Sequence, residues 1–433
     1  MSLRKTKLLI YIILSILLLA FILPTYSLAF DDDSIYVWSN NSSSISTSIS
    51  PSSNEIEAEA NTESETEENS NNNDGKNFLG ITSGSAILMD QKTGAILYEY
   101  NSHEKLRPAS VTKVMTILLI MEAIDNGTIS LEDNVPCSEK ASKMGGSQIW
   151  LDTTETLTVN EMLKAICVVS ANDCCVAMSE YIGGSEELFV EQMNKRAKEL
   201  GMNDTTFKNC HGLDEDGHLT SSHDIAIMSR ELITKHPKIT DYTTIWMDSL
   251  RGGTSELVNT NKLIRNYEGA TGLKTGSTST ALFNLSATAT RDNLSLIAVI
   301  MRGETSAIRF QEAQKLLDYG FSNFQYVECS KKGDIIKTLN VDKGITGTID
   351  AILEQDSGLI IKKGKSNDIT SNIILDDNIS APITKGQKLG EVTYSLDNEV
   401  ISKINIIAKE DVKKLNLVNM YVRVMENWFT LFR

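Results

Sequence analysis

Hydrophobic and polar positions along this chain change their period from block to block. Leu8 to Leu23 is an almost unbroken apolar run, closed by Pro24. From Ser83 the pattern becomes strand-like. Ser85–Asp90 and Ala95–Tyr100, separated by Gln91-Lys92-Thr93-Gly94, predict a β-hairpin. Val114 to Ile124 is apolar around most of a helical circumference, with Val111, Met115, Leu118, Leu119 and Ile124, and predicts a buried helix. A second helix covers 157–166, where Thr158 and Glu161 stand at capping-box spacing. A third begins near Asp173 and a fourth covers 189–200. A fifth covers 224–235, with Ile225, Met228, Leu232 and Ile233 on one face. Segments 271–275, 283–291 and 294–302 predict adjacent antiparallel strands, followed by a helix over 306–320. An antiparallel sheet with a helical cluster is an α+β arrangement.

After about residue 322 short strand-like runs alternate with turns, at 335–339, 345–349, 359–361, 372–375 and 389–394. This stretch predicts a small β-rich domain with no nucleophile–base constellation. The chain ends in an amphipathic helix. Leu417, Val418, Tyr421, Val424, Met425, Trp428, Leu431 and Phe432 form its apolar stripe. Asn416, Asn419, Arg423, Glu426, Asn427, Thr430 and Arg433 line the other side. Such a helix suits a membrane interface. The alternative is docking on the protein's own core.

Charge and composition add a processing signal and a spacer. Arg4, Lys5 and Lys7 precede the first apolar run, and Ser27-Leu28-Ala29 offers small residues for a signal peptidase. Residues 1–29 therefore read as a signal peptide, with an uncleaved anchor as the alternative. Residues 30–76 are rich in Ser, Asn, Thr and Glu and too poor in apolar surface to fold. They hold eleven acids against Lys76, so −10 of the chain's net −16 belongs to this linker. The acidic balance argues against nucleic acid as a partner. Six cysteines in 433 residues form no dense framework. Cys167, Cys174 and Cys175 fall on one predicted helical stretch as small buried residues, and mostly free thiols are expected, in a weakly oxidising habitat.

The chemistry concentrates at Arg107-Pro108-Ala109-Ser110-Val111-Thr112-Lys113. Residues three apart share a helix face, so the Ser110 hydroxyl can meet the Lys113 amine. Burial and the positive end of the helix dipole both disfavour the ammonium form, which leaves a neutral lysine to serve a serine nucleophile. S-x-x-K alone occurs often by chance. Ser170-Ala171-Asn172 and Lys274-Thr275-Gly276 follow it, and the three in this order are the signature of serine β-lactamases and penicillin-binding proteins.

With its longer stretches Pro108–Thr116, Asn209-Cys210-His211-Gly212-Leu213-Asp214 and Gly272–Gly276, the chain resembles the low-molecular-weight penicillin-binding proteins, serine-type D-Ala-D-Ala carboxypeptidases of the S11 type. The resemblance covers about residues 80 to 412. It implies a β-lactamase/transpeptidase-like catalytic domain over 77–322, a β-rich accessory domain over 323–412 and a membrane-associating helix over 413–433. It also implies removal of the terminal D-Ala from peptidoglycan stem pentapeptides through an acyl-serine. Ser110 would attack the penultimate D-alanine carbonyl with Lys113 as base. Backbone N–H groups of Ser110 and Ser277 would hold the oxyanion. Ser170 would relay a proton to the leaving D-alanine, and Asn172 would hydrogen-bond the substrate amide. Lys274 would meet the terminal carboxylate, helped by Thr275 and Thr278, while Gly276 lets the strand come close.

Two details depart from the family's common pattern. Ser277 stands where an aromatic residue or histidine often follows K-T-G, which puts side-chain contacts there in doubt. The middle motif is S-A-N rather than S-D-N or S-G-N. Asp214 is expected to position the edge of the site. The cluster His211, Asp214, Asp216, His218 and His223 fits no standard zinc spacing, and no metal or other cofactor is expected. Stem peptides, β-lactams as covalent inhibitors and a membrane surface are the expected partners, on the outer face of the cytoplasmic membrane or in the wall. Three other functions share the motifs: a D,D-endopeptidase on cross-links, a serine β-lactamase, and an inactive wall-peptide-binding protein. No E-x-x-L-N segment lies between Asn172 and Lys274, which counts against the β-lactamase.

Overall fold

The structure is a computed structural model and describes residues 77–376 and 378–431. The expected signal peptide and acidic linker, and Phe432 and Arg433 of the tail, lie outside the described residues.

The predicted hairpin forms as β1 (Ser85–Asp90) and β2 (Ile96–Tyr100). The later strands are β3 (Ala270–Thr278), β4 (Leu282–Arg291) and β5 (Leu294–Gly303). Together they make one antiparallel sheet in the order β2-β1-β5-β4-β3. The first hairpin thus joins the last three strands through β1 and β5, with Ser85 opposite Met301 and Asp90 opposite Leu296. No local pattern announces that pairing.

Both faces of the central strands are buried, which explains their near-continuous apolar sequences. Successive side chains of a strand point to opposite faces. Ile87, Met89, Ile297 and Val299 therefore pack into the core with the helical cluster. Leu88, Leu296, Ala298 and Ile300 pack on the other side, beneath Phe310 and Leu316 of helix α6. The helical cluster comprises α1 (Lys113–Asp125), α2 (Val159–Val168), α3 (Asn172–Gly183), α4 (Glu186–Glu199) and α5 (Ser222–Lys235). Helix α6 (Ser306–Asn323) covers the opposite face. Helix α1 is buried along nearly its whole length, as its apolar circumference requires.

Thr158 caps α2 through a complete capping box. Its hydroxyl accepts from the Glu161 amide, and the Glu161 carboxylate accepts from the Thr158 amide. The helical stretch expected to carry all three cysteines is two helices. Ser170, at φ 67, breaks it, so Cys167 lies on α2 and Cys174 and Cys175 on α3. The break is held by the Ala171 amide, which bonds back to the Ala165 carbonyl, and by the Asn172 amide, which bonds the Ser147 carbonyl instead of continuing the helix. All six cysteines are free thiols, and Cys329 alone among them is not fully buried.

Beyond α6, β6 (Phe324–Ser330) pairs with β9 (Ser357–Lys362). A second antiparallel sheet contains β7 (Ile335–Asn340), β8 (Thr348–Leu353), β10 (Ile369–Leu375), β11 (Lys388–Leu396) and β12 (Glu399–Ala408), in the order β7-β8-β12-β11-β10. Their inner faces enclose a separate core around Ile349, Ala351, Leu389, Val392, Ile404 and Ile406. The strand expected at 345–349 begins instead at Thr348. The Val341 amide bonds the Gly347 carbonyl and the Ile345 amide bonds Lys413, so that segment is committed to a turn. Strands β6 and β12 were not anticipated from the sequence.

The final helix, α7 (Leu417–Leu431), starts at Asn416, whose side chain accepts from the Asn419 amide. Leu417, Val418, Tyr421 and Val424 of its apolar stripe are exposed rather than docked on a core. At about 1.5 Å per residue the helix is some 22 Å long. No helix among the described residues is long and apolar enough to cross a membrane.

The capping box is a local interaction that can be removed alone. Thr158→Ala is expected to lower stability by about 1 kcal/mol. The check is the urea midpoint of the transition that includes α2, and an unshifted midpoint would show that the box contributes nothing.

Candidate active site

The nucleophile motif sits where a short turn becomes a helix. Ala109–Thr112 form a single 3₁₀ turn, and Lys113 is the first residue of α1. The expected meeting takes place across this junction. Lys113 Nζ lies 3.1 Å from Ser110 Oγ. It also lies 2.6 Å from Asn172 Oδ1 and 2.6 Å from the His211 carbonyl oxygen. Lys113 is fully buried while Ser110 is half-buried and reachable from the cleft.

Burial pushes the Lys113 amine below its ordinary value. Its neighbouring thiols cannot offset this. Burial pushes Cys175 up to about 12 and Cys210 well above its usual range, so both stay uncharged at neutral pH. A neutral amine has two N–H groups and one lone pair. Asn172 Oδ1 and the His211 carbonyl are obligate acceptors and take the two N–H groups. In that neutral form the lone pair would be left for the Ser110 hydroxyl, the third partner of Nζ.

Each partner is held by its own supports. Asn172 opens α3, and its Nδ2 donates to the Gly145 carbonyl at 2.7 Å, which fixes which end of the amide faces Lys113. Its backbone N–H donates to the Ser147 carbonyl at 2.7 Å. The next residue, buried Asp173, accepts the amides of Ile149 at 3.0 Å and Leu151 at 3.1 Å. The His211 carbonyl is carried by the loop 209–214. There Asn209 Oδ1 accepts from the Gly212 amide at 2.7 Å. Gly212 has φ 90, and a Cβ on it would stand 1.9 Å from the Ala109 carbonyl oxygen, so the loop packs directly on the nucleophile turn. Ser170 Oγ is buried and has no hydrogen-bond partner among the described residues.

Strand β3 forms the other wall. Lys274 is buried, with Nζ 2.8 Å from the Thr275 carbonyl. Burial and the nearby Lys113 push its pKa well below the usual lysine value. Thr275 Oγ1 shares a hydrogen bond of 2.7 Å with Thr260 Oγ1. A Cβ on Gly276 would come within 2.8 Å of the backbone nitrogens of Ser110 and Val111, so only glycine lets the strand reach the nucleophile turn. Ser277 is exposed beside it. The Thr278 hydroxyl donates to Asp214 Oδ1 at 3.0 Å and so ties the strand to the 209–214 loop.

Several contributors carried no sequence signal. Thr260 belongs to no motif, and the 209–214 stretch was singled out without pointing to the His211 carbonyl. Arg309 of α6 donates to the carbonyls of Gly276 at 3.1 Å and Asn284 at 3.2 Å from behind the sheet. Asn284 Nδ2 in turn donates to the Arg107 carbonyl at 2.8 Å. Of the histidines suspected as a cluster, His218 has a structural partner set. Its Nδ1 accepts the Lys208 amide at 2.9 Å, so Nε2 carries the proton and donates to Thr112 Oγ1 at 2.7 Å. Among the described residues no cluster of His, Cys, Asp or Glu could hold a metal ion.

Comparison with known proteins matches this arrangement. Residues 69–305 match the family model described as D-alanyl-D-alanine carboxypeptidase. Residues 324–414 match that of the penicillin-binding protein 5 C-terminal domain. The chain is 45% identical over 348 residues to the D-alanyl-D-alanine carboxypeptidase DacF of Bacillus subtilis, covering 79% of this chain and 89% of that protein. Penicillin-binding protein 5 from Haemophilus influenzae superposes with a TM-score of 0.71 at 33% identity, covering 77% of this chain and 98% of that one. The ampicillin-bound penicillin-binding protein D2 of Listeria monocytogenes superposes with a TM-score of 0.52 at 30% identity, covering 56% of this chain and 98% of that one.

The Thr112–His218 contact gives the turn a pH dependence. Burial pushes His218 from 6.5 down to about 4. The unfolded chain therefore takes up a proton near pH 6.5 that the folded chain refuses until about pH 4. Stability present above pH 6.5 is lost as pH falls through this window, by roughly 3 kcal/mol for this one histidine. Urea unfolding between pH 7 and 4 should show a steeper loss in the wild type than in His218→Gln. Equal slopes would mean that folding leaves the His218 pKa unshifted.

Proposed function

The chain belongs to the D-alanyl-D-alanine carboxypeptidase family, and we propose that Ser110 is its nucleophile and neutral Lys113 its base. The observation that carries this assignment is the occupancy of Lys113. Asn172 Oδ1 and the His211 carbonyl take two of its N–H groups at 2.6 Å each, and Ser110 Oγ is its third partner at 3.1 Å, so in the neutral form the lone pair falls to the Ser110 hydroxyl. Ser110 Oγ bonds to the carbonyl carbon of the penultimate D-alanine as its proton passes to Lys113 Nζ. The oxyanion that forms is held by the N–H groups of Ser110 and Ser277, which the close approach at Gly276 supports. The C–N bond then breaks, and the leaving D-alanine nitrogen takes up the proton from Lys113 by way of the Ser170 hydroxyl. Ser170 is buried with its hydroxyl unpartnered among the described residues, ready for a group that arrives with substrate. Water next attacks the ester, giving up a proton as Ser110 recovers its own, and the shortened peptide leaves.

Lys274 receives the terminal carboxylate. In the empty site burial, and Lys113 nearby, push the Lys274 amine well below the usual lysine value. An arriving carboxylate reverses that balance at Lys274 and holds it as the cation. Thr275 and Thr278 contribute neutral donors. Thr278 is engaged with Asp214 in the empty site and must turn from it to reach a ligand. Asn172 bonds the substrate amide from the opposite wall.

The substrate under this reading is the peptidoglycan stem pentapeptide, and β-lactams acylate Ser110 as mimics of D-Ala-D-Ala. The ampicillin- and cefotaxime-bound forms of the similar Listeria protein support the second point. The protein is exported and works at the outer face of the cytoplasmic membrane. A positively charged, apolar N-terminus ending in small residues supports export. The exposed apolar stripe of α7 supports a helix lying in the membrane interface.

Labelling with a fluorescent penicillin and D-alanine release from a pentapeptide test the site together. Ser110→Ala is expected to lose both. Lys113→Arg, which puts a permanent cation with no accessible lone pair in place of the neutral amine, is expected to slow acylation by about 10²–10⁴-fold. Full activity in either variant overturns the assignment. For α7, protein lacking residues 417–433 should stop co-sedimenting with anionic phospholipid vesicles while still releasing D-alanine; unchanged co-sedimentation would exclude the helix as the anchor.

A further inference from the structure

Trp150 stands out among the residues that no motif singles out. It is 77% exposed, although indole is among the largest apolar surfaces a side chain can offer. Its φ is 54, in the left-handed region that a bulky residue rarely adopts. Two unfavourable features coincide at one position, and the surrounding bonds enforce both. The amides on either side, Ile149 and Leu151, donate to the buried Asp173 carboxylate. On the carbonyl side, Arg251 Nη1 donates to the Ile149 oxygen at 3.0 Å, and Arg251 is itself held by Glu155 at 2.7 Å. The strip is thus anchored from both edges, and the tryptophan between the anchors is turned outward.

The same strip belongs to the cleft. Its Gly145 and Ser147 carbonyls hold Asn172, and Asp173 is the next residue in the chain. Summing the bonded steps and the hydrogen bond puts the Trp150 Cα within about 13 Å of the Asn172 Cα. The Trp150 backbone therefore lies within one side chain's reach or so of the wall that faces Lys274 across Ser110. A strained backbone held in place by its surroundings points toward function rather than packing. An exposed, rotationally stiff aromatic is a favoured recognition group.

We propose that Trp150 is a specificity-determining residue, a plate on which the part of the stem peptide N-terminal to D-Ala-D-Ala rests. The inference rests on the site assignment above. Lys274 and Thr275 take the carboxylate end, and the remaining peptide leaves the pocket past the Asn172 wall, where the indole covers its backbone and side-chain methylenes. Short substrates that end at the pocket do not reach it.

The test compares kcat/KM for a pentapeptide ending in D-Ala-D-Ala with that for acetyl-D-Ala-D-Ala in Trp150→Ala, Trp150→Gly and Trp150→Phe. The pentapeptide-to-dipeptide ratio should fall about tenfold in the alanine and glycine variants, through KM, and recover in the phenylalanine variant. Glycine accepts the left-handed backbone without a Cβ penalty, so Trp150→Gly keeps the fold, as thermal unfolding will report. A ratio equal to that of the wild type in both small variants overturns the proposal. So does a ratio that holds while vesicle binding drops, which would assign the indole to lipid. Failure of the Ser110 assignment would show separately, as a wild type that neither labels with penicillin nor releases D-alanine.

Discussion

An amine removed from water is the constraint on which this protein's site is built. Lys113 is completely buried, and three segments far apart in sequence supply its hydrogen-bond partners: Ser110 on its own turn, Asn172 at the start of α3 and His211 in the 209–214 loop. Burial makes the neutral form accessible, and the acceptors decide where the lone pair points. If the amine were solvated it would be a cation at neutral pH. If an acceptor were missing, its lone pair would have no preferred direction. The apolar circumference of α1 meets the first condition, and the loops meet the second.

Much of the surrounding structure can be understood as support for those acceptors. Asn172 is oriented by Gly145 and anchored through Ser147. The 209–214 loop is pinned by Asn209, by close packing of Gly212 on Ala109, and by Thr278 reaching Asp214 from the opposite wall. His211 is also tied to the helical cluster. Burial pushes its imidazole down to about 4, and Leu213 donates to its Nδ1 at 3.1 Å. Behind it, buried Glu186 accepts the Cys210 amide at 3.2 Å and pairs with Lys140 at 3.0 Å. Burial alone would raise the Glu186 carboxyl, but the hydrogen bonds from Lys140 and from the Cys210 amide and thiol outweigh it and hold it below its ordinary value.

The second sheet and α7 obey simpler physics. Strands β7, β8 and β10–β12 enclose a core separate from that of the catalytic sheet. The exposed apolar positions of α7 are a surface of a different kind, because they form a helical stripe at the end of the chain rather than scattered single residues.

Local pattern carried much of this protein. The 2.0 and 3.6 periods located the hairpin at 85–100, helices α1, α2 and α5, and the capping box at Thr158, because each depends on residues within a few positions of one another. The α+β class followed, and three short motifs in order marked the candidate residues from Ser110 to Thr278. Position 345–349 failed because a turn bonded to Lys413 outweighed its β-branched residues, and the cysteine-bearing helix was broken by the φ of Ser170. The partnership of β1 with β5, the placement of Arg309 behind Gly276, and the His211 carbonyl at Lys113 were settled only by the tertiary structure. The reason is physical. A backbone carbonyl is the same in every residue, so a site that uses one as an acceptor leaves no trace in the sequence. Which carbonyl serves depends on how distant segments pack, and that packing is decided by burial summed over the whole core.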